Sequence, residues 1–221
     1  MNEAIAARHS VRQYNDKAIE TEKLALLRQA IDEANRTAGL HLQLVSDEPE
    51  AFAHGLAKYG KFSGVRNYVA LVCRRGDDEL VGYHGEHLVL LAQTLGLNSC
   101  WVGLTFSKQP SRYEVEEGEK LLGVIALGYG VTQGSPHPMK PLSTFYKAAG
   151  AVPEWFLRGV ESAALAPTAM NMQKFLFELL PDGRVAARTR FALMGNYLKL
   201  DLGIVKCHFE LGAGSGSFEW A

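Results

Sequence analysis

Arg8, His9, Ser10 and Arg12, in the run RHSVRQY, bring two guanidiniums, an imidazole and a hydroxyl within five residues. A solvated helix end accounts for such a run, because cations are favoured near a helix C-terminus. An oxyanion site accounts for it equally: each arginine can make paired charge-assisted bonds to a phosphate, and Ser10 adds a donor. Bonds to charged groups contribute about 1.5–3 kcal/mol each, so two or three would hold a phosphate monoester firmly.

A second stretch, APTAMNMQ (166–173), places the amides of Asn171 and Gln173 on a connection between a helix and a strand. Amides that both donate and accept suit the mixed edge of a heterocycle such as an isoalloxazine pyrimidine, although plain loop chemistry uses the same residues. Other motifs carry less. His84, Glu86 and His87 would need a further ligand and an open position to hold a metal, and none is assigned. GYGVTQG (128–134) lacks the G-x-G-x-x-G spacing and the following helix of a Rossmann site. Cys100 has no histidine or other base spaced for thiolate catalysis.

The elements that must position these residues follow from periodicity. A short helix is expected over 3–9, capped by Asn2, and a second from Thr21 to about Arg36 with Leu24, Leu27, Ile31 and Ala34 on one face. Leu40, Leu42 and Leu44 alternate with polar residues as in a strand, and NYVALVC (67–73) reads as a strand covered on both faces. GEHLVLLAQTLG (85–96) reads as a buried central helix, followed by strands at 99–103 and 121–130. Residues 131–153 read as a loop, with Pro153 opening a helix to 165. A strand at 174–180, a Pro181-Asp182-Gly183 turn, a return strand at 185–190 and a helix at 199–211 complete the chain.

The 221 residues are 47% hydrophobic and 21% charged, with 23 basic against 24 acidic, so no global field draws the chain to nucleic acid or an anionic membrane. Cys73, Cys100 and Cys207 are odd in number and lack C-x-x-C spacing, which points to a reducing compartment. With no apolar leader and no long apolar run, a cytoplasmic protein is expected.

A shift of 130 positions lays Leu27-Arg28 on Leu157-Arg158, Ala34 on Ala164 and Gln43 on Gln173, each within a helix that runs into a strand. LGLNS (95–99) and LGAGS (211–215) form a looser second echo. The class is therefore α+β or α/β, built from two degenerate copies of one helix–strand–helix unit.

RHSVRQY, APTAMNMQ, GEHLVLLAQTLGLNSCWVG and VIALGYG together resemble the FMN-dependent nitroreductase family, over roughly residues 4–15, 80–130 and 155–180. The resemblance implies an α+β nitroreductase-like fold with a mixed central sheet flanked by helices. It implies FMN as cofactor, with Arg8, His9, Ser10 and Arg12 at its phosphate end and Pro167, Thr168, Ala169 and Asn171 reaching it from the other side. Cys100, Trp101, Val102 and Gly103 would run along the ring, and Lys140 would add a cation at the phosphate. In ordinary members the A-P-S-x-x-N segment comes one helix after R-x-S-x-R and belongs to the partner subunit's flavin site. Here that place holds RTAGLHLQ (36–43), and the motif stands 130 residues later.

The departure is explained if both halves of the usual dimer lie in one chain. That implies one nitroreductase-like domain with repeats over about 1–130 and 150–221, a linker at 131–150, one flavin per chain and a monomer. The expected activity takes hydride from NADH or NADPH and passes it to nitroaromatics, quinones or similar acceptors, with the flavin N5 and no side chain as the reactive centre. Two other readings stand beside it: different flavin chemistry on the same fold, such as flavin reduction or reductive dehalogenation, and a binding module without redox activity.

Overall fold

The computed structural model of the chain describes residues 2–192, 197–214 and 216–221. Its elements in chain order are α1 (Asn2–Ala7), α2 (Thr21–Ala38), β1 (His41–Val45), α3 (Glu50–Ala53), α4 (Leu56–Tyr59), β2 (Asn67–Arg74) and α5 (Asp78–Thr94). There follow β3 (Asn98–Val102), β4 (Glu119–Gly128), β5 (Tyr146–Ala148), α6 (Glu154–Ala164), β6 (Phe175–Leu179), β7 (Val185–Thr189) and α7 (Leu198–Ala213). They fall into two units, each assembled from separated segments. One comprises Ala7–Asp77 and His87–Pro136; the other comprises the residues up to Ala6, Asp78–Glu86 and His137–Ala221.

The first unit is built on a four-stranded sheet in the order β1-β2-β4-β3, antiparallel at every pairing. The continuous apolar run of β2 reports its central place, with Tyr68 through Cys73 all buried. On one side Val11, Tyr14, Phe52, Phe62 and Phe106 gather with the inward residues of β2, β3 and β4. Helix α2 buries Leu27, Ile31 and Ala34, one every three or four residues, and stops at Gly39, whose φ of 65° lets its N–H reach the Asn35 carbonyl. The Asn35 amide then bonds both the N–H and the carbonyl of Leu42, fixing how the chain turns from α2 into β1.

The second unit holds a three-stranded sheet in which β6 pairs in parallel with β5 and antiparallel with β7. Helices α6 and α7 share an aromatic core with it: Phe177 stacks on Phe209 at 4.4 Å, and Phe145 on Phe175 at 4.6 Å. Residues 78–86 of α5 lie so close to α7 that a Cβ on Gly203 would sit 1.9 Å from the Glu79 carbonyl oxygen, and one on Gly82 2.0 Å from that of Leu200. Only glycine permits that approach. Within this contact the fully buried Glu86 carboxylate meets Nε2 of the fully buried His208 at 2.8 Å, while His208 Nδ1 lies 3.1 Å from the Ser162 carbonyl. Glu86 therefore serves a helix contact here rather than a metal set with its histidine neighbours.

The structure departs from the sequence expectations at four places. Helix α5 begins at Asp78, seven residues before Gly85, because Gly82 and Gly85 are interior helix residues rather than boundaries. The stretch expected as a loop contains β5, three residues too short to show an alternation. Asn2 lies inside α1 rather than capping it. The parallel pairing of the expected mixed sheet occurs in the smaller sheet, and the four-stranded one is purely antiparallel. Ser215, the last residue of the second echo, lies outside the described residues.

Candidate functional site

In the four-strand unit the chain leaves α1 and runs extended along the end of β3. Ser10 bridges Ser99, the Val11 N–H donates to the Ser99 carbonyl at 3.0 Å, and Tyr14 bridges Gly130. The Tyr14 hydroxyl, buried, donates back to the Val11 carbonyl at 2.8 Å and pins the segment from within. Arg8 is only 3% exposed, His9 and Ser10 are half-buried, and Arg12 is exposed.

The R-x-S-x-R segment and β3 meet at Cys100. Burial raises the Cys100 thiol above its ordinary value, while Arg12, a hydrogen bond with the Ser10 side chain, and Arg8 pull it down. Both guanidiniums and the Ser10 hydroxyl thus act on one sulfur, and burial keeps that sulfur a thiol. The strand continues through half-buried Trp101, buried Val102 and half-buried Gly103.

The glycines of GYGVTQG serve this segment directly. A Cβ at Gly134, where φ is 78°, would lie 2.7 Å from the Cβ of His9, and one at Gly130 would lie 2.8 Å from Cγ1 of Val11. Asn98 clamps the loop, accepting from the Gly130 N–H at 2.8 Å and donating to Gln133 at 3.0 Å. Motif spacing had argued against a nucleotide loop here. What it could not show is a loop shaped to pass closely over residues 9–11.

In the three-strand unit, APTAMNMQ joins α6 to β6 by an irregular path. Met170, Asn171 and Gln173 all have φ near +50°, a conformation that asparagine tolerates and the other two adopt at a cost of order 1–3 kcal/mol each. Side-chain bonds hold them there. The Gln173 N–H donates to the Thr168 hydroxyl at 3.0 Å, and the buried Gln173 amide donates to the Pro138 carbonyl at 2.7 Å and to Asn171 Oδ1 at 2.7 Å. Its oxygen accepts from the Lys140 N–H at 3.1 Å. Asn171 Nδ2 donates to the same Pro138 carbonyl at 2.9 Å.

Gln173 is therefore engaged within the chain, while Asn171, half-buried, keeps one N–H and further acceptor capacity. Pro167, Thr168 and Ala169 are half-buried, and Met170 is 79% exposed at the tip. Lys140 sits beneath the loop with its ammonium 2.5 Å from the Met172 carbonyl and 3.5 Å from that of Gln173.

Sequence reasoning missed Asp201. Buried in α7, it accepts the Ala169 N–H on both carboxylate oxygens, at 2.9 and 3.1 Å. Burial pushes its carboxyl up to about 7, against the lowering effect of the Ala169 bond. The one available signal was an acid isolated in the otherwise apolar run LDLGIV. Among the described residues no group of three or more His, Cys, Asp or Glu is placed to hold a metal, and no helix is long and apolar enough to cross a membrane.

Residues 1–213 match the family model described as "Putative TM nitroreductase". The chain belongs to this nitroreductase family. Among solved structures, a "putative nitroreductase" from Thermotoga maritima superposes over 96% of this chain and 82% of its own, at 20% identity and a TM-score of 0.65. Two proteins carrying the name "Putative NADH dehydrogenase/NAD(P)H nitroreductase" reach a TM-score of 0.50. One, from Bacteroides thetaiotaomicron, is 23% identical over 66% of this chain and 96% of its own. The other, from Parabacteroides distasonis, is 21% identical over 68% and 100%. Each of the latter two fits almost whole onto about two-thirds of this nitroreductase-family chain. No curated protein matches it in sequence.

Proposed function

We propose that this chain is an FMN-dependent oxidoreductase that takes hydride from NADH or NADPH and passes it to nitroaromatic, quinone or similar acceptors. The observation that carries the reading is the R-x-S-x-R segment laid along β3, where Ser10 bridges Ser99 and the Val11 N–H donates to the Ser99 carbonyl, in a chain of the nitroreductase family. Two guanidiniums and a hydroxyl on one extended segment fit the phosphate of FMN in charge and in donor type, and His9 lies among them. When bound, FMN would supply the hydride chemistry at its N5.

The residues of the chain then have separate tasks. Arg8, buried and held by the fold, presents a fixed donor array, and exposed Arg12 closes on the phosphate from the solvent side. Cys100, Trp101, Val102 and Gly103 offer a flat strand surface on which the ring can lie, with the Cys100 thiol kept neutral. Within the three-strand unit, Pro167, Thr168, Ala169 and Asn171 form a braced loop with one free amide N–H, a donor of the type the family resemblance assigns to a ring edge. Preformed donors of this kind cost little reorganisation as charge develops on a ring. One flavin per chain is proposed, because RTAGLHLQ lacks the proline and asparagine of the second motif.

The test is flavin content and affinity. The purified protein should carry close to one FMN per chain, and Arg12→Ala should weaken FMN binding by roughly 10–100-fold, the loss expected for one charge-assisted pair. A variant purified with full flavin and unchanged affinity would sink the phosphate assignment. Protein that stays colourless with added FMN would favour the binding-module reading.

A further inference from the structure

A group of cations in the three-strand unit joins Lys140, which the family resemblance places at the flavin phosphate, to two residues with no part in the chemistry described so far, Lys174 and Arg190. The Arg190 N–H donates to the Lys174 carbonyl at 2.8 Å, one step beyond the Phe175–Thr189 pair, so the two residues face each other across the open end of β6 and β7. Lys174 directly follows Gln173, whose carbonyl takes the Lys140 ammonium, and Arg190 Nη1 donates to the Thr144 carbonyl at 3.0 Å. Lys140, Lys174 and Arg190 thus share one corner.

The segments that build that corner are poor in carboxylates. Residues 135–153, 162–177 and 183–200 contain no Asp or Glu at all. Among the described residues none of the three cations is in an ion pair; the nearest along β7, Arg188, is the one that pairs with Glu178. Burial, then the charges of Lys174 and Arg190, hold Lys140 below its ordinary value. Three like charges without a counterion raise the energy of the site, and a dianion would lower it. Beside Arg190, Phe191 is 84% exposed, an aromatic face of the kind on which a nucleobase stacks.

We propose that Lys174 and Arg190, supported by Lys140 and Phe191, bind the 2′-phosphate and adenine of NADPH, so that the protein prefers NADPH to NADH. The inference rests on the oxidoreductase reading for its coenzyme. A phosphomonoester is the best match because it carries close to two negative charges near pH 7 and accepts from several donors at once. The cluster also stands against the loop that bears Asn171, through the bonds of Lys140 to Met172 and Gln173.

Binding and kinetics test it separately. On the full chain, adenosine 2′,5′-bisphosphate should bind at least tenfold more tightly than 5′-AMP by titration calorimetry, with the difference shrinking as salt is added. Lys174→Ala should erase most of that difference and lower the NADPH-to-NADH ratio of kcat/KM by roughly tenfold. The Lys174 ammonium has no bond or ion pair among the described residues, so this variant keeps the fold, whereas Arg190→Ala also removes the brace to Thr144. Phe191→Ala should weaken both nucleotides alike.

Equal affinity for the two nucleotides in the wild-type chain would overturn the proposal. So would a Lys174→Ala protein that loses FMN but keeps its coenzyme preference, since the cations would then belong to the flavin phosphate. A chain that discriminates the two nucleotides, loses this in Lys174→Ala and yet oxidises neither coenzyme would keep the anion site and remove the oxidoreductase reading.

Discussion

Helix α2 and helix α6 each lead into a strand that pairs antiparallel with the next, yet the two junctions differ. In the four-strand unit two residues, Gly39 and Leu40, make the connection, and a glycine takes the positive φ. In the three-strand unit Leu165 to Lys174 make it, and three non-glycine residues take positive φ. A junction that only connects uses the residue for which that conformation is free. A junction that presents side chains holds costly conformations with bonds from Gln173, Thr168 and Asp201.

Two glutamines, one near each junction, use the same device to different degrees. Gln43, which the 130-residue shift lays on Gln173, also clamps a distant segment, donating to the Glu114 carbonyl and accepting from its N–H, each at 2.8 Å. Gln43 is half-buried and its clamp is exposed, whereas Gln173 is 3% exposed. Burial decides how much each clamp contributes, because an unpaired polar group in water is simply rehydrated.

The comparison breaks most readily at that pair. Gln173→Ala should destabilise the protein by about 3 kcal/mol in urea unfolding, since it leaves buried partners unmet, against about 1 kcal/mol for Gln43→Ala. Equal losses would mean that burial does not separate the junctions.

Next in size is the pH dependence set by Asp201. Its folded-state carboxyl titrates at about 7 against an ordinary value of 3.8, so the native state holds a proton that the unfolded state has released. Stability should therefore fall as pH rises through that window, by about 2 kcal/mol from pH 5 to pH 7. Asp201→Asn should lose most of this slope; unfolding midpoints at the two pH values measure it, and an unchanged slope would place the titration elsewhere.

Smaller effects test the backbone alone. Gly39→Ala should cost about 1 kcal/mol, because alanine resists a φ of 65°. Met170→Gly, at an exposed φ of 52°, should instead gain about 0.5 kcal/mol in thermal melts, and a loss there would show that Met170 packs rather than strains.

Much of this architecture was legible in the chain. The periodicity of α2, the apolar run of β2 and the Pro181-Asp182-Gly183 turn between β6 and β7 each follow from local physics. RHSVRQY and APTAMNMQ stood out because charged donors and amides clustered at short range. What remained hidden depended on remote partners. The early start of α5 depends on a helix some 120 residues later that needs Gly82 and Gly203 at the contact. The three residues of β5 become a strand only beside β6.

By itself the sequence determined which groups could meet a phosphate or a ring edge, because donors and charge are properties of residue type. Only the tertiary structure decided which of them stay available. It turned Gln173 inward as a brace, gave Asp201 the loop's backbone, and set Cys100 beside Arg8, Ser10 and Arg12. It also left Lys140, Lys174 and Arg190 together with no ion pair among the described residues. The physical reason is that burial and pairing, which fix what a polar group can do, are set by segments far apart in the chain.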